Sequence, residues 1–182
     1  MQQSNPNARR VLAVGCACGL LGSLTLPWNT VSCVLFALAS ALLAAGCLML
    51  RAAGAGYGRA AKPAVVAVVA FLLGIVLNGG SLFQMPVVLG VALLYFVVAY
   101  YADAVMEETG TKVSRGGAPR PPKAAIRFEY AAGFFILALL VGDIFAVIMR
   151  PAQVVAMIAM GVGFVQLGLY VVNGPRKEDK DE

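Results

Sequence analysis

The sequence predicts an all-α fold: a polytopic integral membrane bundle of six transmembrane helices arranged as three hairpins, with both termini cytoplasmic. Three observations predict it. First, of the 182 residues 60% are hydrophobic and 13% charged, whereas a soluble domain carries roughly 45–50% apolar and about 25% charged residues. That surplus exceeds what a core can hold, since a soluble chain of about 150 residues still exposes about 30% of its unfolded surface. Second, residues 11–50 and 63–102 are uncharged stretches of 40 residues each. At about 1.5 Å per residue each makes about 60 Å of helix, twice a hydrocarbon core of about 30 Å. Third, the basic residues sort to one side when the chain crosses an even number of times. Soluble globular, disordered and nucleic-acid-binding classes do not fit this composition.

Residues 1–10 read as a cytoplasmic N-terminus bearing Arg9 and Arg10. The first uncharged stretch divides at Pro27-Trp28-Asn29-Thr30 into spans 11–27 and 30–50, because proline has no amide donor to continue a helix. The second divides at Asn78-Gly79-Gly80-Ser81 through Pro86 into spans 63–79 and 86–102. Residues 103–128 read as a flexible basic cytoplasmic loop: between Glu107 and Lys123 lie three glycines and three prolines with no apolar periodicity, too little to bury. Tyr130 to Met149 is apolar apart from Asp143 and ends at Arg150-Pro151, and Gln153 to Val172 is uncharged, giving spans 129–149 and 152–172. Residues 173–182 form a charged cytoplasmic tail. The apolar runs are continuous, unlike the alternating strands of a membrane barrel, and only helices or closed barrels satisfy their backbone in lipid.

With six crossings, Arg9, Arg10, Arg51, Arg59, Lys62, Lys112, Arg115, Arg120, Lys123, Arg127, Arg176, Lys177 and Lys180 share one side, thirteen of the 14 basic residues, and only Arg150 lies opposite. Positive charge marks the cytoplasmic face, so the expected place is the inner or plasma membrane, multi-pass. The first apolar run continues into a second span, unlike a cleaved signal. The sequence pI of about 9.2 comes from cations flanking spans, which points to the lipid bilayer and anionic headgroups as partner, with no nucleic acid.

Histidine is absent, which removes His-ligated zinc, haem and His-based triads within the chain. Ser23, Ser32, Ser40 and Ser81 lie outside any G-x-S-x-G setting and have no neutral base to activate them. The expectation is a non-catalytic protein without metal or cofactor. Asp143 stands 14 residues into span 129–149, about 21 Å from its start, where an acid is costly and functional by default. Arg150 shares its face about 10 Å further on. Cys16, Cys18, Cys33 and Cys47 form no C-x-x-C pair and read as small hydrophobes. Gly15, Gly19 and Ser23, and likewise Ala37, Ala41 and Ala45, recur every four residues; such rows let helices approach closely, either within the first hairpin or against a partner membrane subunit. Tyr57, Tyr95, Phe96, Tyr100, Tyr101, Phe128, Tyr130, Phe134, Phe135 and Tyr170 crowd the cytoplasmic side and Trp28 the outer turn, as interfacial belts or as a pocket lining.

The polar residues near the outer face are the remaining candidates. Asp143, Arg150, Asn78, Gln84 and Trp28 form the expected mouth of a small-molecule site over an apolar bundle. In length, helix count, inward termini and lack of a soluble domain the chain is similar to the substrate-binding subunits of energy-coupling-factor vitamin transporters. That likeness is one of size and topology, and it transfers no residue. It implies capture of a small nutrient at the outer mouth, with the rows of the first hairpin meeting a partner subunit. The alternatives are a structural, scaffold or regulatory subunit of a larger membrane complex with no ligand of its own, and a small proton-coupled carrier using Asp143.

Overall fold

The computed structural model of the chain describes residues 5–25, 30–77, 84–108, 123–142 and 146–173, of which 84, 139–142 and 146–150 are described by their backbone alone. These residues form six helices: α1 Pro6–Leu24, α2 Thr30–Leu50, α3 Ala55–Val76, α4 Gln84–Glu108, α5 Lys123–Gly142 and α6 Ala146–Asn173. No strand occurs among the described residues. Four stretches are long and apolar enough to cross a membrane: Thr30–Leu50, Ala55–Val76, Met85–Glu108 and Pro151–Asn173. The other two helices carry charge near their starts, Arg9 and Arg10 in α1 and Lys123, Arg127 and Glu129 in α5.

Local chemistry accounts for the ends of α1. The side chain of Asn5 accepts from the Asn7 amide at 3.1 Å and Pro6 occupies the first turn, where its fixed φ suits a helix and its missing donor costs nothing. At the far end the Thr25 hydroxyl donates to the Gly22 carbonyl at 2.8 Å. α3 begins differently: Gly54 caps it without any side-chain hydrogen bond.

Most helices overrun the expected spans. α2 keeps its boundaries, but α1 begins at Pro6 rather than 11, α3 at Ala55 rather than 63, and α4 runs on to Glu108. Arg9, Arg59 and Lys62 thus sit within helices, because long cationic stems keep their heads in water while the backbone stays helical. Pro63 is inside α3 and Pro151 inside α6, as membrane helices tolerate when neighbours or waters take the freed carbonyl. The last two spans are therefore divided elsewhere than expected: α5 stops at Gly142 and α6 starts at Ala146, so the break is not Arg150-Pro151. Of the expected loop 103–128, residues 103–108 belong to α4 and 123–128 to α5, and residues 109–122 lie outside the described residues.

The six helices close into a ring. Each packs on its neighbours in sequence, and α6 returns to α1. Gly15 lies against Ala39, Leu42 and Leu43 while Gly22 lies against Leu35 and Phe36, so α1 and α2 run antiparallel. Gly56 against Ala104 and Gly90 against Phe71 do the same for α3 and α4, and Gly19 against Phe164 with Gly168 against Cys16 for α1 and α6. The ring packs as closely across α2–α3 as across α1–α2.

On α3 the inward positions are small apart from Tyr57 and Phe71. α3 turns Ala60, Ala64, Ala67, Ala70 and Gly74 inward and exposes Val65, Val66, Val69, Leu72, Leu73 and Val76. In water that arrangement would be backwards; in lipid, small inner faces let backbones approach and large outer ones meet acyl chains. The interior is filled by aromatic rings: Phe71, Phe128 and Phe164 are fully buried, Phe36 stacks on Phe71 at 5.3 Å, and Phe128 meets Phe164 edge-on at 5.0 Å. The expected aromatic belt accordingly divides. Phe96, Tyr100, Tyr130 and Phe134 are exposed, but Tyr57, Tyr101, Phe128 and Phe135 are core residues, because α3, α4 and α5 turn those positions into the ring.

Candidate functional site

Antiparallel packing gathers alternate helix termini at two opposite ends. One end collects the starts of α1, α3 and α5 with the finishes of α2 and α4, and with them Arg9, Arg10, Arg51, Arg59, Lys62, Lys123 and Arg127. The other collects Thr25, Thr30 and Leu77 and the starts of α4 and α6. Of the expected ligand residues, Trp28, Asn78 and Asp143 lie outside the described residues, and Gln84 and Arg150 are placed by backbone only, first in α4 and fifth in α6. The expectation that Asp143 stands deep within a helical span falls on a residue outside those described.

At this second end three hydroxyls converge beneath the helix termini. The Thr25 and Ser32 hydroxyls share a hydrogen bond of 2.5 Å, and Ser23 donates to the Leu20 carbonyl at 2.7 Å. With Cys33, Phe36, Val87, Phe135 and Met157 they line a cavity of about 20 Å³, room for about one water. A second interior void of about 10 Å³ lies towards the basic end, walled by Leu12, Leu43, Cys47, Val97 and Tyr101 among others.

The basic end carries two features. Inside the ring, the Tyr57 hydroxyl donates to Glu108 Oε2 at 2.5 Å, tying the start of α3 to the finish of α4, with the Tyr101 ring 5.8 Å from that of Tyr57. Gly56 permits this closeness, since a Cβ there would stand 3.0 Å from the Ala104 Cα. Outside the ring, between α2 and α3, an open groove of about 620 Å³ is lined by Leu48, Arg51, Ala55, Gly58, Arg59, Ala61, Lys62 and Val65. In the sequence these cations stand only as flanking charge, and the Tyr57–Glu108 bond was hidden because Tyr57 precedes the expected span 63–79 and Glu108 falls in the expected loop 103–128.

The small-residue rows have different fates. Gly15, Gly19 and Ser23 are buried against α2 and α6, and Ala37 is buried, whereas Ala41 and Ala45 face outward. Cys16, Cys33 and Cys47 are buried and Cys18 half-buried, all as free thiols. Among the described residues no cluster of three or more His, Cys, Asp or Glu side chains is placed to hold a metal ion. No protein-family profile matches the chain, and no curated protein or solved structure is significantly similar to it.

Proposed function

We propose that this chain is a non-catalytic, six-span integral membrane protein with both termini in the cytoplasm, acting as a structural or regulatory subunit of a larger membrane assembly. The filled interior supports this reading most strongly. Among the described residues the ring is plugged by Phe36, Phe71, Phe128 and Phe164, and the interior voids that they line hold about 10 and 20 Å³, against the roughly 300–1,000 Å³ of a small-molecule site. Six crossings are supported by closure. α1 and α5, with 19 and 20 residues, are about 28–30 Å long and stand between helices that are themselves long and apolar enough to span. Solubilised from its own membranes in a mild detergent, the protein is expected to elute in a stoichiometric complex well above its own 18.9 kDa plus micelle. Elution as a monomer under those conditions contradicts a subunit role.

A second reading, capture of a small ligand at the outer end as part of an uptake system, is favoured by one observation: the Ser23, Thr25 and Ser32 hydroxyls gather around one cavity where α1 ends and α2 begins. Under that reading a small polar ligand raises the thermal stability of the purified protein, and Asp143→Asn weakens the effect. The proton-coupled carrier on Asp143 makes a separate demand, that Asp143→Asn abolish proton-linked flux in proteoliposomes.

A further inference from the structure

We propose that the groove between the end of α2 and the start of α3 binds one anionic phospholipid, its phosphate held by Arg51, Arg59 and Lys62 and an acyl chain laid against Leu48 and Val65. The proposal rests on the membrane embedding given above and not on the subunit role.

Charge selects the headgroup. The groove presents three exposed cations, Arg51 from the turn that follows α2 and Arg59 and Lys62 from α3, and no acidic side chain in its lining. Arg59 and Lys62, three residues apart, share one face of α3, while Arg51 is laid towards them: its Cγ, Cδ and Nε lie 3.6 Å from where a Cβ on Gly58 would stand. Gly58 is thus a seat for the arginine stem, and it draws the third cation against the other two. Their mutual repulsion is unrelieved by the lining itself and would be offset by a phosphate, which arginine recognises with its planar fork.

Polarity along the axis selects a lipid over a soluble anion. Leu48 stands three residues before Arg51 and Val65 three residues after Lys62, each about 4.5 Å deeper into the bundle, and both are 51% exposed. Ala61, buried, also lines the groove. Cations therefore rim the end of the groove and apolar surface continues towards the middle of the bundle, the gradient of a phospholipid at a leaflet boundary. A basic pocket between helices at the cytoplasmic face is a recognised setting for anionic headgroups.

Native mass spectrometry of the full chain, titrated in detergent with dioleoyl phosphatidylglycerol or the chain-matched phosphatidylcholine, tests this. One phosphatidylglycerol is expected to be retained at concentrations where phosphatidylcholine is not. Arg51→Gln/Arg59→Gln/Lys62→Gln should weaken that retention by roughly a hundredfold, while Arg9→Gln/Arg10→Gln leaves it unchanged. Gly58→Leu, which keeps every charge but unseats Arg51, should weaken it about tenfold; binding by diffuse charge alone would not respond. Equal retention of the two lipids, an unaffected triple variant, or displacement by millimolar inorganic phosphate or an acidic peptide as readily as by lipid overturns the proposal. Failure to insert into liposomes at all would instead sink the membrane reading, a distinguishable result.

Discussion

Replacing Gly19 by alanine adds a single methyl group where α1 crosses α6 closely. An added Cβ would stand 2.4, 2.5 and 2.7 Å from three carbons of the Phe164 ring, well inside van der Waals contact. Phe164 has no room to withdraw: it is fully buried, 5.0 Å from Phe128 and 6.2 Å from Phe36. Overpacking of this kind costs about 1–3 kcal/mol, whereas alanine gains about 0.5–1 kcal/mol over glycine within a helix. Gly133→Ala is the control, because a Cβ there has nothing within 4 Å and only the helical gain remains. The difference between the two variants isolates the clash at about 1–3 kcal/mol, a factor of about 5 to 150 in the folding equilibrium. Reversible unfolding in mixed detergent and dodecyl sulfate micelles, followed by helical circular dichroism, measures it. Phe164→Leu in the Gly19→Ala background should recover part of the loss, as coupled neighbours do. If Gly19→Ala and Gly133→Ala were equally stable, the α1–α6 closure of the ring would be wrong.

Three further outcomes follow from the same geometry. Tyr57→Phe deletes the donor to Glu108 and should cost about 1–2 kcal/mol in the same assay; Glu108→Gln, which keeps an acceptor oxygen, should cost less, and equal losses would contradict the bond. Thr25→Val removes one of the paired hydroxyls at the opposite end and should cost about 1 kcal/mol, with no effect meaning that the hydroxyls do not pair. Gly56→Ala drives a methyl group to 2.7 Å from the Ala104 Cβ and 3.0 Å from its Cα, so it should separate α3 from α4 and destabilise by about 1–3 kcal/mol, whereas Gly58→Ala, which would meet only the flexible Arg51 stem at 3.6 Å, should be tolerated.

What was legible in the sequence depended on where charge and breakers coincide. α2 is read to the residue, Thr30–Leu50, because its interior holds no charge and Pro27 stands shortly before it in the sequence. α3 is read eight residues short, since Arg59, Lys62 and Pro63 look like an ending when taken one at a time, yet a cation can snorkel and a proline near the lipid boundary loses one hydrogen bond without breaking the helix. The same over-reading of Pro151 misplaced the start of α6, which begins at Ala146 and carries that proline inside it. Burial of Tyr57 and Tyr101 rather than Tyr100 was illegible because a helix apolar on every side carries no moment to say which face turns inward. The groove cations were visible as residues; the seating of Arg51 over Gly58 was not, since it joins two helices through a missing side chain.

The even number of crossings is the claim on which the account turns. In a chain with Cys16, Cys18, Cys33 and Cys47 replaced by alanine, single cysteines at Trp28, Ala52, Asn78 and Lys180 can be challenged with a membrane-impermeant maleimide in intact cells and in inverted vesicles. Six crossings predict that Ala52→Cys and Lys180→Cys react only in inverted vesicles and Trp28→Cys and Asn78→Cys only in intact cells. Labelling of Ala52→Cys and Lys180→Cys from opposite faces would contradict it.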